Sequence, residues 1–163
     1  MIVLDTNVLV YAVAEDDPHH VSSRRLLDAV VAGLVSACVF PQILLEFYAV
    51  ATDPRRMTRP LTVAQAVMEM ANLRAVLPVV MPKENSLDRV FELAASSHTR
   101  AAGIFDVFLV AQLLGDDIAT ICTYNTRDFA AFPVSAATPE EILSALAIPP
   151  NGCGVVQEEP GCG

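Results

Sequence analysis

Residues 1–10, "MIVLDTNVLV", set one acid, Asp5, between the apolar runs Ile2-Val3-Leu4 and Val8-Leu9-Val10. A short continuous apolar run is how a strand covered on both faces reads. A carboxylate at its end is costly unless something pairs with it. Alone, Asp5 reads equally well as the cap of a following helix and as a ligand.

Working outward, further strands are read in "GLVSACVF", "LPVVMP" and "IATICTY", with a last short one in "FPVSAATPEEILSALA". Between them lie helices over about 7–14, 21–32, 41–52, 62–74, 85–97 and 105–114, and one closes the chain after Thr138-Pro139-Glu140-Glu141. Thr62 and Thr138 are cap candidates, and Pro41 and Pro139 suit a first helical turn. Expected core stripes are Leu26, Leu27, Val30 and Val31 in one helix and Val63, Ala66, Val67, Met70 and Leu73 in another. Strands alternating with helices indicate an α/β domain with a largely parallel sheet and right-handed crossovers. Ligands in such sheets bind outside the carboxyl ends of the strands. Asp5 ends the first strand, and Asn125 and Asp128 follow another strand exit.

The chain has 163 residues, 53% apolar and 18% charged, which suits one domain over 1–148. A Pro- and Gly-rich tail over 149–163 is expected to be mobile. The charge-free stretch 29–45 is interrupted by Gly33, Ser36, Pro41 and Gln42, so it reads as a strand and a helix rather than a membrane span. No basic segment precedes an apolar leader, which makes a cytoplasmic protein the expectation. Cys38 and Cys122 lie in strand-like runs and are expected as buried thiols, whereas Cys153 and Cys162 fit no zinc spacing. His19, His20 and His98 are read as solvent-exposed. A net charge of −9 argues against a broad nonspecific nucleic-acid binder. It does not exclude a nuclease, whose metal-holding carboxylates enter the same count.

Three more acids stand in apolar company or at a strand exit: Glu46 in "ILLEFYAV", Asp106 in "GIFDVFLVAQLL" and Asp128 in "TYNTRDF". Each has an ordinary reading. Glu46 fits a buried pair with an Arg, Asp106 a helix-start acid favoured by the dipole, and Asp128 a loop acid beside Arg127. As a set they are harder to dismiss, because few of the ten Lys plus Arg lie in the apolar segments. A divalent cation is the economical counter-charge, and Mg²⁺ and Mn²⁺ favour carboxylate and water oxygens.

In order along residues 1–147, "MIVLDTNVLVYA", "FPQILLEFYAVATDPRR", "GIFDVFLVAQLL" and "TYNTRDF" resemble the motifs of PIN-domain nucleases, particularly the VapC toxins of bacterial toxin–antitoxin pairs. The resemblance implies a three-layer α/β/α sandwich with a mostly parallel five-stranded sheet. It implies a metal site of Asp5, Glu46 and Asp106, supported by Thr6 and Asn7. Asp128 takes the fourth acidic role, with Asn125 and Thr123 as polar support. Some relatives instead carry the acid at the position of Asn125.

The implied activity is Mg²⁺- or Mn²⁺-dependent hydrolysis of RNA, leaving 5′-phosphate and 3′-hydroxyl ends. Asp5 and Asp106 would hold the metal directly, and Glu46 and Asp128 directly or through water. Arg55, Arg56 and Arg59 read as RNA phosphate contacts or as a solvated loop. A cognate antitoxin and a homodimer are further implications. A non-catalytic PIN domain serving as a binding module is the alternative. A phosphoryl-transfer domain of the HAD or receiver type fits less well. The first would want an Asp at position 7, where Asn stands, and the second a late Lys, while Lys83 is the chain's one lysine.

Overall fold

The computed structural model describes residues 1–97 and 100–147. Four strands form one parallel sheet: β1 (Ile2–Leu4), β2 (Ala37–Cys38), β3 (Thr120–Cys122) and β4 (Ser135–Ala137), in the order β2-β1-β3-β4. The chain leaves β1 toward one side for β2 and returns to the other for β3. The switch between β1 and β3 is where an open parallel sheet leaves a crevice at its carboxyl edge. The Asp5 N–H continues the ladder by donating to the Cys122 carbonyl at 3.0 Å.

Among the described residues seven α-helices surround the sheet: α1 (Thr6–Val13), α2 (His20–Val31), α3 (Pro41–Ala51), α4 (Val63–Val76), α5 (Ser86–Ser97), α6 (Ile104–Gly115) and α7 (Pro139–Ala145). Their starts follow local chemistry. Thr62 with Gln65, and Thr138 with Glu141, form reciprocal capping boxes that satisfy two orphan N–H groups each. Pro41 and Pro139 open α3 and α7, where a missing N–H goes unnoticed. Gly33, at φ +72°, ends α2 in a conformation that other residues adopt with strain.

α1 packs on α2 and α3, α2 on α7, α3 on α4, and α5 on α6. Leu4, Leu9, Phe40, Phe47, Ile121 and Phe129 are fully buried. Each such side chain contributes roughly 1.5–3 kcal/mol of burial, and Phe47→Ala would cost about 3–5 kcal/mol through the cavity it leaves. Cys38 and Cys122 are buried free thiols, as expected. Burial pushes the Cys38 thiol up to about 11.

Several expectations are corrected. The sheet has four strands rather than five. "LPVVMP" reaches it only through a parallel bridge, Val39 to Val79. Pro78 and Pro82 flank that bridge and lack the N–H groups a longer ladder needs. Val31, Val63 and Val67 are exposed, so α2 faces the core with Ser23, Leu26, Leu27 and Ala29, and α4 with Ala66 and Leu73. His19 and His20 are half-buried rather than exposed. The expected tail over 149–163, with Cys153 and Cys162, and His98 lie outside the described residues. Among the described residues no helix is long and apolar enough to cross a membrane.

Candidate active site

Asp5 stands between β1 and α1, where its cap reading holds. It is the N-cap of α1, its Oδ1 accepting from the Thr6 N–H at 2.6 Å. Its Oδ2 accepts from Asn7 Nδ2 at 2.8 Å and from Thr123 Oγ1 at 2.6 Å. A carboxylate has about four acceptor sites, so three filled leaves one. Burial raises the pKa of Asp5, and its three hydrogen bonds and Glu46 act as smaller influences, the bonds lowering it and the charge raising it.

Asn7 and Thr123, which both bond the Asp5 carboxylate, are tied to each other and to the exit of β3. Asn7 Nδ2 also donates to Thr123 Oγ1 at 3.0 Å, and Asn7 Oδ1 accepts from the Tyr124 N–H at 3.2 Å. Thr123 is fully buried and accepts from the Asn125 N–H at 3.0 Å. Thr6 Oγ1 donates to Glu46 Oε2 at 3.1 Å, joining α1 to α3. One asparagine and two threonines thus connect the exits of β1 and β3 with the acid on α3.

Asp5, Glu46, Asp106 and Asn125 line one cavity of about 420 Å³, and Thr6, Asn7 and Tyr11 of α1 form part of its wall. Asp128 does not line it. Asp128 borders an adjoining depression, together with Tyr124, Asn125, Thr126 and Arg127, and Asn125 is common to both. The competition for the fourth position therefore has a spatial form, with Asn125 in the cavity and Asp128 beside it. Asp128 still acts on the cavity. The Asp106 carboxyl is pushed up to about 6 by burial first, then by the negative charge of Asp128, Asp5 and Glu46.

Arg24 pairs with Asp28, Arg55 with Asp53 and Lys83 with Asp116, and none of these three pairs involves the four acids. The three loop arginines part company. Arg55 is held by Asp53 at 2.9 and 3.1 Å, Arg56 lines the cavity, and Arg59 is exposed outside its lining. Among the described residues no three His, Cys, Asp or Glu side chains are grouped closely enough to form a ready metal cage.

Sequence reading missed Gln42 and Tyr11. Gln42 Nε2 donates to Glu46 Oε1 at 2.8 Å and to the Phe105 carbonyl at 3.3 Å. The available signal was its spacing, four residues before Glu46 and so on the same helical face. Tyr11 lies on the face of α1 that Asn7, Val10 and Ala14 also present to the cavity.

The sequence matches the model of the PIN domain family over residues 2–134. Ribonuclease VapC24 of Mycobacterium tuberculosis strain H37Rv is 27% identical over 136 residues, covering 83% of this chain and 93% of that protein. Ribonuclease VapC37 of the same strain is 31% identical over 134 residues, covering 81% and 92%. Among solved structures, Mycobacterium tuberculosis VapC20, described as a sarcin-ricin loop cleaving toxin, superposes with a TM-score of 0.62 at 17% identity, covering 82% of this chain and 98% of that one. A chain of VapBC2 from Rickettsia felis, bound to a DNA fragment from their promoter, gives 0.62 at 17% identity, covering 85% and 98%.

Proposed function

Since this chain belongs to the PIN domain family, we propose that it is a divalent-metal-dependent endoribonuclease, the toxin of a toxin–antitoxin pair. The observation that carries the reading is the convergence of Asp5, Glu46 and Asp106 on one cavity, away from the ion pairs that Arg24, Arg55 and Lys83 make. The printed names of VapC24 and VapC37 as ribonucleases support the substrate class, and the toxin and antitoxin structures support the partner.

The donor set fits Mg²⁺ or Mn²⁺. It is all oxygen, and burial first, then the negative charge of Asp128, Asp5 and Glu46, raises the Asp106 carboxyl to about 6. The lack of a three-acid cage does not oppose this, because Mg²⁺ keeps several waters and takes one or two carboxylates. Asp5 and Asp106 would hold the ion, with Glu46 and Asp128 reached directly or through water, and it would supply a more acidic bound water and charge stabilisation at the phosphoryl oxygens. Thr123, Asn7 and the Thr6 N–H hold the Asp5 carboxylate in one rotamer. Thr6 and Gln42 fix the two oxygens of Glu46. Arg56 is placed to take a phosphate of the strand. Net hydrolysis forms a bond from water oxygen to phosphorus and breaks the bond to the ribose 3′ oxygen, which leaves protonated. The ends are 5′-phosphate and 3′-hydroxyl.

The test is cleavage of structured RNA by the purified chain with Mg²⁺, Mn²⁺ or EDTA, repeated with Asp5→Asn and Asp106→Asn. Cleavage is expected with metal and lost, by at least about a hundredfold, in EDTA and in either variant. Cleavage that persists in EDTA and in both variants overturns the mechanism.

A further inference from the structure

Three rings meet beside the acidic cavity. His19 lies on Tyr124 with centroids 4.0 Å apart, Tyr11 is 5.3 Å from His19, and Tyr11 and Tyr124 meet edge-on at 5.4 Å. Tyr124 is anchored through its hydroxyl, which accepts from Ser23 Oγ at 3.3 Å and donates toward Glu140 Oε1 at 3.2 Å. The backbone N–H of His19 donates to Asp17 Oδ1 at 2.8 Å, which fixes the turn that carries its ring. Tyr11 differs. It is half-buried, it lines the cavity, and its side chain makes no hydrogen bond among the described residues. Asp5, Asp17 and Arg56 line the same cavity as Tyr11.

An aromatic ring on a rigid backing beside a phosphate-cutting site suits one ligand class, an unpaired nucleobase, since every base has a π-face to stack. Tyr11 follows Asp5 by six residues, about 9 Å along the helix axis. A strand with its phosphate over the acids and running along α1 brings a neighbouring base to the ring, and Arg56 borders the same space. We infer that Tyr11, backed by His19 and Tyr124, is a stacking subsite for an unpaired base of single-stranded RNA adjacent to the bond that is cut. The inference rests on the ribonuclease reading above. It makes Tyr11 a specificity-determining contact, and it requires the substrate to be unpaired at that position.

Two measurements test it. In steady-state cleavage of random-sequence single-stranded RNA, Tyr11→Leu is expected to raise KM about tenfold with kcat within about twofold, whereas Tyr11→Phe stays near wild type. In parallel, 5-iodouridine-containing single-stranded RNA is photo-crosslinked to the Asp106→Asn chain and the adduct mapped, with Tyr11 as the expected site and a duplex of the same sequence giving little product. An unchanged KM in Tyr11→Leu, or a loss confined to kcat, overturns the subsite. If Tyr11→Leu does not fold, adducts that map away from Tyr11, or equal yields from duplex and single strand, overturn it instead. A wild-type chain that cuts no RNA yet crosslinks at Tyr11 leaves the subsite standing and removes the hydrolase reading.

Discussion

Gln42 holds Glu46 one helical turn along α3, at 2.8 Å, while the same amide nitrogen reaches the Phe105 carbonyl at 3.3 Å. One side chain thereby orients one acid and ties α3 to the first turn of α6, where the next residue is Asp106. The spacing between two acids on separate helices then depends on a glutamine that no charge pattern in the sequence marks.

Gln42→Ala is expected to lower kcat for RNA cleavage by about ten- to a hundredfold, the usual penalty for misplacing a reacting group by around an ångström. Stability should fall by only about 0.5–1.5 kcal/mol, the net worth of such hydrogen bonds. Cleavage assays beside urea denaturation separate the two effects. A stability loss with unchanged kcat would assign Gln42 a purely structural part.

Thr123 is fully buried and serves three partners, donating to Asp5 Oδ2 and accepting from Asn7 Nδ2 and the Asn125 N–H. Thr123→Val keeps the shape and removes the oxygen, leaving two donors and one acceptor short. Destabilisation of about 1–3 kcal/mol is expected, with loss of cleavage, while Thr123→Ser retains both. Equal unfolding midpoints for the Val and Ser variants would contradict this account.

Asp106 gives the pH dependence. Its carboxyl rises from 3.8 to about 6 on folding. Between those values the folded state holds a proton that the unfolded state has released, so stability falls as pH rises through that window and is flat above it. Asp106→Asn removes the penalty. Metal-free Asp106→Asn should be more stable than wild type at pH 7.5, by about 1 kcal/mol once solvent screening of this half-buried group is allowed for. At pH 3.5 the difference should vanish. Thermal melts in EDTA at the two pH values check it, and an equal difference at both would mean that charge is not the cause.

Much of the fold was readable because its signals are local. The strand of Ile2–Leu4, the caps at Thr62 and Thr138 and the prolines at 41 and 139 each act within one turn of chain. The acids were readable because a charge in an apolar run is conspicuous. What escaped depends on distant neighbours. The fifth strand shrank to a bridge because Pro78 and Pro82 act on a partner strand. Val63 and Val67 recur at helical spacing, yet among the described residues the side of α4 that they occupy is exposed. Tyr11 and His19 looked like a helix residue and a turn residue, and only the approach of Tyr124, 105 residues after His19, makes them a cluster.

The parallel order β2-β1-β3-β4 also has a consequence for how the chain is made. β1 is made well before its inner neighbour β3, which begins at Thr120. Until then one edge of β1 is open, and the oxygen that clasps Asp5 has not been synthesised. Asp5, Glu46 and Asp106 are present in a chain stopped short of β3, yet none of the cross-strand bonds to Thr123 can form. Pairing across such long sequence separation is slow, since loop closure precedes its reward. The corner around Asp5 therefore becomes rigid only after β3 is made, and a chain ended before it carries these acids without the frame that holds them.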